Sequence, residues 1–108
     1  MRRPKLTTPV LKVMVNIMRN QQGLHCGADI TRETAVSAGT LYPLLRRLET
    51  AGWLISKDEE IDPVKAGRPA KKFYRLTVAG QKVLAAKMNA VGRELMLPPA
   101  IVLKRTVS

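Results

Sequence analysis

The chain has 108 residues, a single cysteine and a formal net charge of +11, from 19 Lys and Arg against 8 Asp and Glu. That length fits one domain, and the lone Cys26 excludes an intrachain disulfide and a cysteine metal cluster. The basic residues fall in blocks, Arg2 to Lys5, Lys65 to Arg75, and Lys104 with Arg105, which points to a nucleic acid and away from a membrane surface, where one large amphipathic face is needed.

The N-terminal arginines resemble the start of a signal sequence, but the apolar segment behind them is broken by Lys12 and Asn16 and has no small-residue cleavage site. With no run of membrane-spanning length, a cytoplasmic chain is expected. Thr8 before Pro9 predicts a capped helix running to about residue 20. Its apolar residues, Val10, Met14 and Met18 among them, wrap most of the way round, so the helix is expected to be buried on two sides, with a second subunit supplying the other surface.

Gly23 to Gly27 reads as a turn, and residues 28–34 as a short helix with Ile30 inward. Ser37 then caps a long helix that stops at Ala51 and Gly52. Leu41, Leu44, Leu45 and Leu48 lie on one face at i, i+3, i+4, i+7, which leaves Thr40, Tyr42, Pro43, Arg46 and Arg47 outside the stripe. A helix that buries one face and offers small polar groups and guanidiniums on the other suits a DNA groove. Pro43 leaves a choice open: with Ser37 as cap it removes one helical bond and bends the axis, and with Thr40 as cap it is harmless.

Trp53, Leu54 and Ile55 predict a short strand, with Trp53 plugging the core, and residues 72–76 its partner. The loop between them, acidic then basic and rich in Pro and Gly, is too polar for core, so the pair forms a wing. Thr77 caps a last helix to about residue 96, in which Leu84, Met88, Val91 and Leu95 follow the spacing of a coiled-coil seam. The expected fold is mainly α with a small β wing. Residues 1–76 form a winged helix-turn-helix with a basic arm, 77–97 a dimerisation helix and 98–108 a basic tail.

Residues 39–49 (GTLYPLLRRLE), 51–54 (AGWL), 67–77 (GRPAKKFYRLT) and 79–80 (AG) go further. They resemble the PadR family of bacterial and archaeal transcription regulators, in its short form with one C-terminal helix, over roughly residues 6–96. The resemblance implies a homodimeric repressor on a pseudo-palindromic operator; no cofactor is expected, and whether a small-molecule effector acts on the chain is left open. It implies that Ser37, Gly39, Thr40, Tyr42 and Pro43 face the major groove, with Arg46 on a neighbouring phosphate. Gly67, Arg68 and Pro69 would reach the minor groove, and Lys71 and Lys72 phosphates. Where family members have a His-Gly-Tyr type sequence opening the second helix, this chain has His25, Cys26, Gly27 and Ala28, which alters a contact near the dimer or effector region.

Each residue also has a plainer reading. Arg46, Arg47 and Lys65 are the charges any exposed surface carries, but in a chain of +11 at least one helix arginine is expected on DNA. Tyr42, off the leucine stripe, is expected exposed with its hydroxyl available to phosphate. Arg68 between Gly67 and Pro69 suits a turn or an A·T-rich minor groove. The acids Asp58, Glu59, Glu60 and Asp62 are expected to solvate the wing and repel misplaced DNA, not to hold a metal. Met14, Met18 and Met88 fit gap-filling better than an effector pocket. His25 beside Cys26 is no dyad by adjacency, and no paired-carboxylate or phosphate-loop pattern marks an enzyme. Two rivals stand beside the regulator: an RNA-associated basic winged-helix protein and a winged-helix adaptor without DNA binding.

Overall fold

The Val10 N–H donates to Thr7 Oγ1 (3.4 Å) and the Leu11 N–H to the Thr7 carbonyl (2.9 Å), so the first helix, α1 (Thr8–Arg19), is capped by Thr7, one residue earlier than expected. The computed structural model describes residues 3–19 and 25–95. The expected turn at Gly23 and the tail over 98–108 lie outside these residues, whereas the last helix, expected to run to about residue 96, ends at Glu94 with Leu95 as its cap. Within them the order is α1, α2 (Gly27–Thr34), α3 (Ala38–Thr50), β1 (Leu54–Asp58), α4 (Pro63–Ala66), β2 (Lys72–Leu76) and α5 (Val78–Glu94).

α1 runs through the centre of the domain and packs on α2, β2 and α5. Val10, Val13, Met14 and Ile17 repeat at helical spacing and are all at most 4% exposed. The expectation that Val10 and Met14 belong to a dimer surface is therefore corrected, because the chain's own core covers them. Leu84 of α5 is corrected for the same reason: at 1% exposure it fills the core beside α1, so the first position of the seam is used within the chain. Met18, Met88 and Val91 are partly exposed and Leu95 is 63% exposed.

α2 begins one residue before the expected start. The Cys26 thiol (3.2 Å) and backbone N–H (3.4 Å) both donate to the Asp29 carboxylate, which also takes the Arg32 guanidinium at 2.8 Å. The Cys26 thiol, and then Arg32, hold Asp29 below its ordinary pKa. The helix closes at Ala35, a non-glycine residue at φ +61°, which turns the chain within three residues into α3. That tight turn, with Ile30, Val36 and Leu41 buried on either side of it, sets the angle between the two helices.

β1 and β2 pair antiparallel, from Leu54 opposite Leu76 to Asp58 opposite Lys72. Strand pairing thus runs three residues further than the apolar Trp53 to Ile55 segment foretold, because alternation keeps one side of the ribbon on the core while Lys57 and Asp58 stay wet. A third segment joins them. Cys26 bridges to Phe73, and the Tyr74 N–H donates to the His25 carbonyl at 2.9 Å, so residues expected in a turn are extended and tie the start of α2 to the wing. Thr77 then locks α5 to the α3–β1 corner. Its Oγ1 accepts from the Gly80 N–H (3.0 Å) and donates to the Gly52 carbonyl (2.6 Å), while its N–H donates to the Trp53 carbonyl (3.0 Å).

Candidate nucleic-acid interface

α3 buries Leu41, Leu44, Leu45 and Leu48 and turns every other side of itself outward. Ser37 is the cap by backbone geometry, since its carbonyl accepts from the Thr40 and Leu41 N–H groups, while its hydroxyl donates to Thr40 Oγ1 at 3.3 Å. The open choice over Pro43 is thereby decided: the proline lies inside the helix and has no N–H for the Gly39 carbonyl. Gly39 is exposed and a methyl there would meet nothing within 4 Å, so a DNA backbone or base edge can approach α3 closely at this point. Thr40, Pro43, Arg46 and Arg47 share the exposed surface.

Tyr42 is 46% exposed, as expected, yet it is not loose. Its ring and hydroxyl lie over Gly27, so close that a β-carbon at position 27 would fall 2.6 Å from the oxygen. Cys26, Tyr42, Arg46, Lys71, Lys72 and Tyr74 are among the residues lining a cleft of about 440 Å³ between α3 and the wing. Glu49 is the one acid on its wall, and it is occupied by the Ser56 hydroxyl at 2.8 Å. Burial, and then the nearby Glu49 charge, raise the pKa of the Tyr74 phenol, which keeps it protonated and a donor. Among the described residues no acid lies within ion-pair distance of Arg46, Arg47 or Lys72, while Lys71 shares the field of Glu59 without a direct ion pair. Uncompensated cations around a groove raise the local potential for a polyanion.

The wing departs from the expected plain loop. Asp62 accepts from the Val64 N–H (3.0 Å) and caps the one-turn helix α4, which ends at Gly67 with φ +70°. Glu59 closes the wing's base. Its carboxylate takes both terminal nitrogens of Arg68, at 2.7 and 3.1 Å, and the Lys71 N–H at 3.2 Å, and its own N–H donates to the Lys71 carbonyl at 2.7 Å. Arg68, for which the sequence left a turn and a minor-groove contact both open, is held in a two-pronged ion pair, and the acids of this loop shape it as well as solvate it. Lys65, Gly67 and Pro69 are exposed around it. Sequence reasoning missed Glu59 and Gly27. The alternation of acid and base across the wing carried a trace of the first, and no local pattern carried the second.

The clasp makes a pH prediction. Arg68, and then the Lys71 N–H, hold the Glu59 carboxyl at about 2, down from an ordinary 4.5. A lowered acid contributes to the closed wing in full above its ordinary value, and the contribution is lost as pH falls through the lowered one. The Glu59 carboxyl carbon, followed by NMR, is expected to titrate near 2 and the Lys71 amide to move with it; a midpoint at 4.5 would mean that the wing is open in solution.

Known proteins agree with this geometry. The model of the transcriptional regulator PadR-like family matches residues 11–86. The transcriptional regulator Rv3488 of Mycobacterium tuberculosis is 41% identical over 70 residues, which are 60% of this chain and 61% of that protein, so the match spans under two thirds of this relative. A PadR-like transcription factor from Bacteroides fragilis superposes with a TM-score of 0.64 at 27% identity, over 81% of this chain and 82% of the other. A MepR mutant from a multidrug-resistant S. aureus isolate shares the fold, with a TM-score of 0.65 at 19% identity over 83% of this chain and 62% of its own. A helix-turn-helix with one face on the core, a basic two-stranded wing and a family match over most of the domain make this chain a member of the PadR-like family of transcriptional regulators.

Proposed function

We propose that the chain acts as a homodimeric repressor in the cytoplasm, by binding and not by catalysis, and that it covers a promoter through a pseudo-palindromic operator. The observation that carries this reading is the continuous surface from Gly39 through Arg46 to Lys71 and Lys72, exposed and free of paired acids among the described residues. On this reading Ser37, Thr40, Tyr42 and Pro43 meet base edges in the major groove. Arg46, Arg47, Lys65, Lys71 and Lys72 hold phosphates, and Gly67, Arg68 and Pro69 lie along the flanking minor groove.

The dimer is proposed from the surface that the core leaves over. Leu11, Val15, Met88 and Val91 line an open groove of about 450 Å³ between α1 and α5, and Met18 and the exposed Leu95 adjoin the same two helices. On this reading α5 serves as the dimerisation helix and the winged domain before it as the DNA reader.

Selection of binding sites from random DNA tests the whole reading. The expected result is a two-fold symmetric motif with half-sites about one helical turn apart. Thr40→Ala and Tyr42→Ala are then expected to weaken the selected operator more than random DNA, by roughly 1 to 3 kcal/mol for each lost base contact. Arg68→Ala is expected to weaken both alike and to flatten the salt dependence. Enrichment of an asymmetric motif would overturn the dimer, and equal losses on both DNAs for all three variants would overturn base reading by α3.

A further inference from the structure

On the side of Arg46 away from the wing lies a second cleft, of about 570 Å³, which brings Arg3 and Lys5 of the N-terminal basic block against α3. Arg3 and Lys5 of the N-terminal arm form one wall and Arg46, Arg47 and Thr50 of α3 the other. Four cations line it and no acid does. Among the described residues none of the four takes part in an ion pair, although the chain supplies acids elsewhere to satisfy Arg32, Lys57 and Arg68.

The arm is also placed. The Arg3 guanidinium carbon lies 5.3 Å from the centre of the Trp53 ring, Leu6 packs against the core, and Thr7 caps α1. An arginine stacked on an indole and a threonine fixed in a helix cap anchor the segment at both ends, so little order remains to be lost when a ligand arrives. Like charges gathered without a counter-ion raise each other's energy, and an anion bridging them removes that penalty. The anion must be a chain of negative groups spaced along a surface, since the cations line both walls of an open cleft and do not converge on one point.

We propose that this cleft is a phosphate-binding subsite in which Arg3 and Lys5 hold the DNA backbone across the major groove from the wing. The proposal rests on the reading of α3 as the groove helix. It extends the contact to two arm residues, and makes Arg46, which lines both clefts, the point where the two backbone contacts meet.

The test uses the full chain and a 30-base-pair duplex of random sequence, titrated at several salt concentrations. Arg3→Ala with Lys5→Ala is expected to flatten the slope of log affinity against log salt by about 1.8, or about 0.9 for each phosphate contact, and on the same scale to weaken binding by up to about 60-fold at 0.1 M salt. Arg3→Lys with Lys5→Arg keeps both charges and is expected to restore the slope. Lys82→Ala with Lys87→Ala on α5 removes the same charge from two residues that do not line the cleft and is expected to leave the slope unchanged. Trp53 is the only tryptophan, so its fluorescence reports the arm directly. DNA is expected to shift its emission in the original chain and not in the arm variant. A variant that keeps the original slope and affinity, or a loss matched by the α5 variant, would overturn the subsite. Failure of the unaltered chain to bind any duplex would overturn the function on which it rests.

Discussion

Gly80→Val is expected to destabilise the fold by about 3 kcal/mol, the upper range for inserting bulk into a packed site that cannot give way. Gly80 is buried in the first turn of α5, and a β-carbon there would run into the carbonyl group and α-carbon of Trp53. Those atoms are backbone, so no side-chain rotation relieves the clash. Nor can α5 step back easily, because Thr77 ties its first turn to the Gly52 and Trp53 carbonyls. Gly80→Ala meets the same obstacle but recovers ~1 kcal/mol of helix propensity, so its expected loss is smaller, about 2 kcal/mol. Gly39→Ala is the control: with nothing within 4 Å of a new methyl it is expected to leave stability unchanged or raise it slightly. Urea unfolding followed by circular dichroism separates the three, and a Gly80→Val midpoint equal to that of the unaltered chain would refute close packing of α5 on the corner. A domain with a marginal stability of 5–15 kcal/mol feels such a loss strongly.

The ease with which the sequence could be read follows from how local each cause is. The leucine stripe of α3, the Thr77 cap and the bounds of β2 are set by neighbours within a few residues, and each was legible. The sharing of burial between chains was not. Val10, Met14 and Leu84 have the same apolar character whether another subunit or the chain's own helices cover them, and periodicity reports that a face is buried without saying by what. The cap moved from Thr8 to Thr7 because two adjacent threonines offer the same chemistry, and only the backbone bonds choose between them. At the site, the exposed surface of α3 was legible as the complement of its stripe. The Glu59 clasp on Arg68 and the pairing of Cys26 with Phe73 depend on contacts across 9 and 47 positions, which spacing does not encode. The arm cleft is of the same kind, since Arg3 and Arg46 meet only through the fold.

Gly27→Ala is the change expected to part DNA reading from folding. Alanine is a better helix former than glycine, and position 27 opens α2, so the backbone has no objection to it. The three atoms nearest the new methyl are outer ring atoms and the hydroxyl of Tyr42, a side chain that is 46% exposed and can swing aside. Stability is therefore expected to change by less than about 1 kcal/mol, as for a substitution that leaves the core intact. Tyr42, however, must leave its seat over α2 and enter the cleft between α3 and the wing, where the proposed interface needs space. Losing one ordered base contact corresponds to roughly 1 to 3 kcal/mol, or a fall in operator affinity of about 5- to 150-fold, with a smaller loss on random DNA. The cause is checked by a double-mutant cycle. In a Tyr42→Ala background there is no ring to displace, so the further effect of Gly27→Ala should vanish, and the two changes should be far from additive. Full additivity would mean that Gly27 acts by another route, through the α2–α3 angle, and that Tyr42 does not depend on its glycine seat.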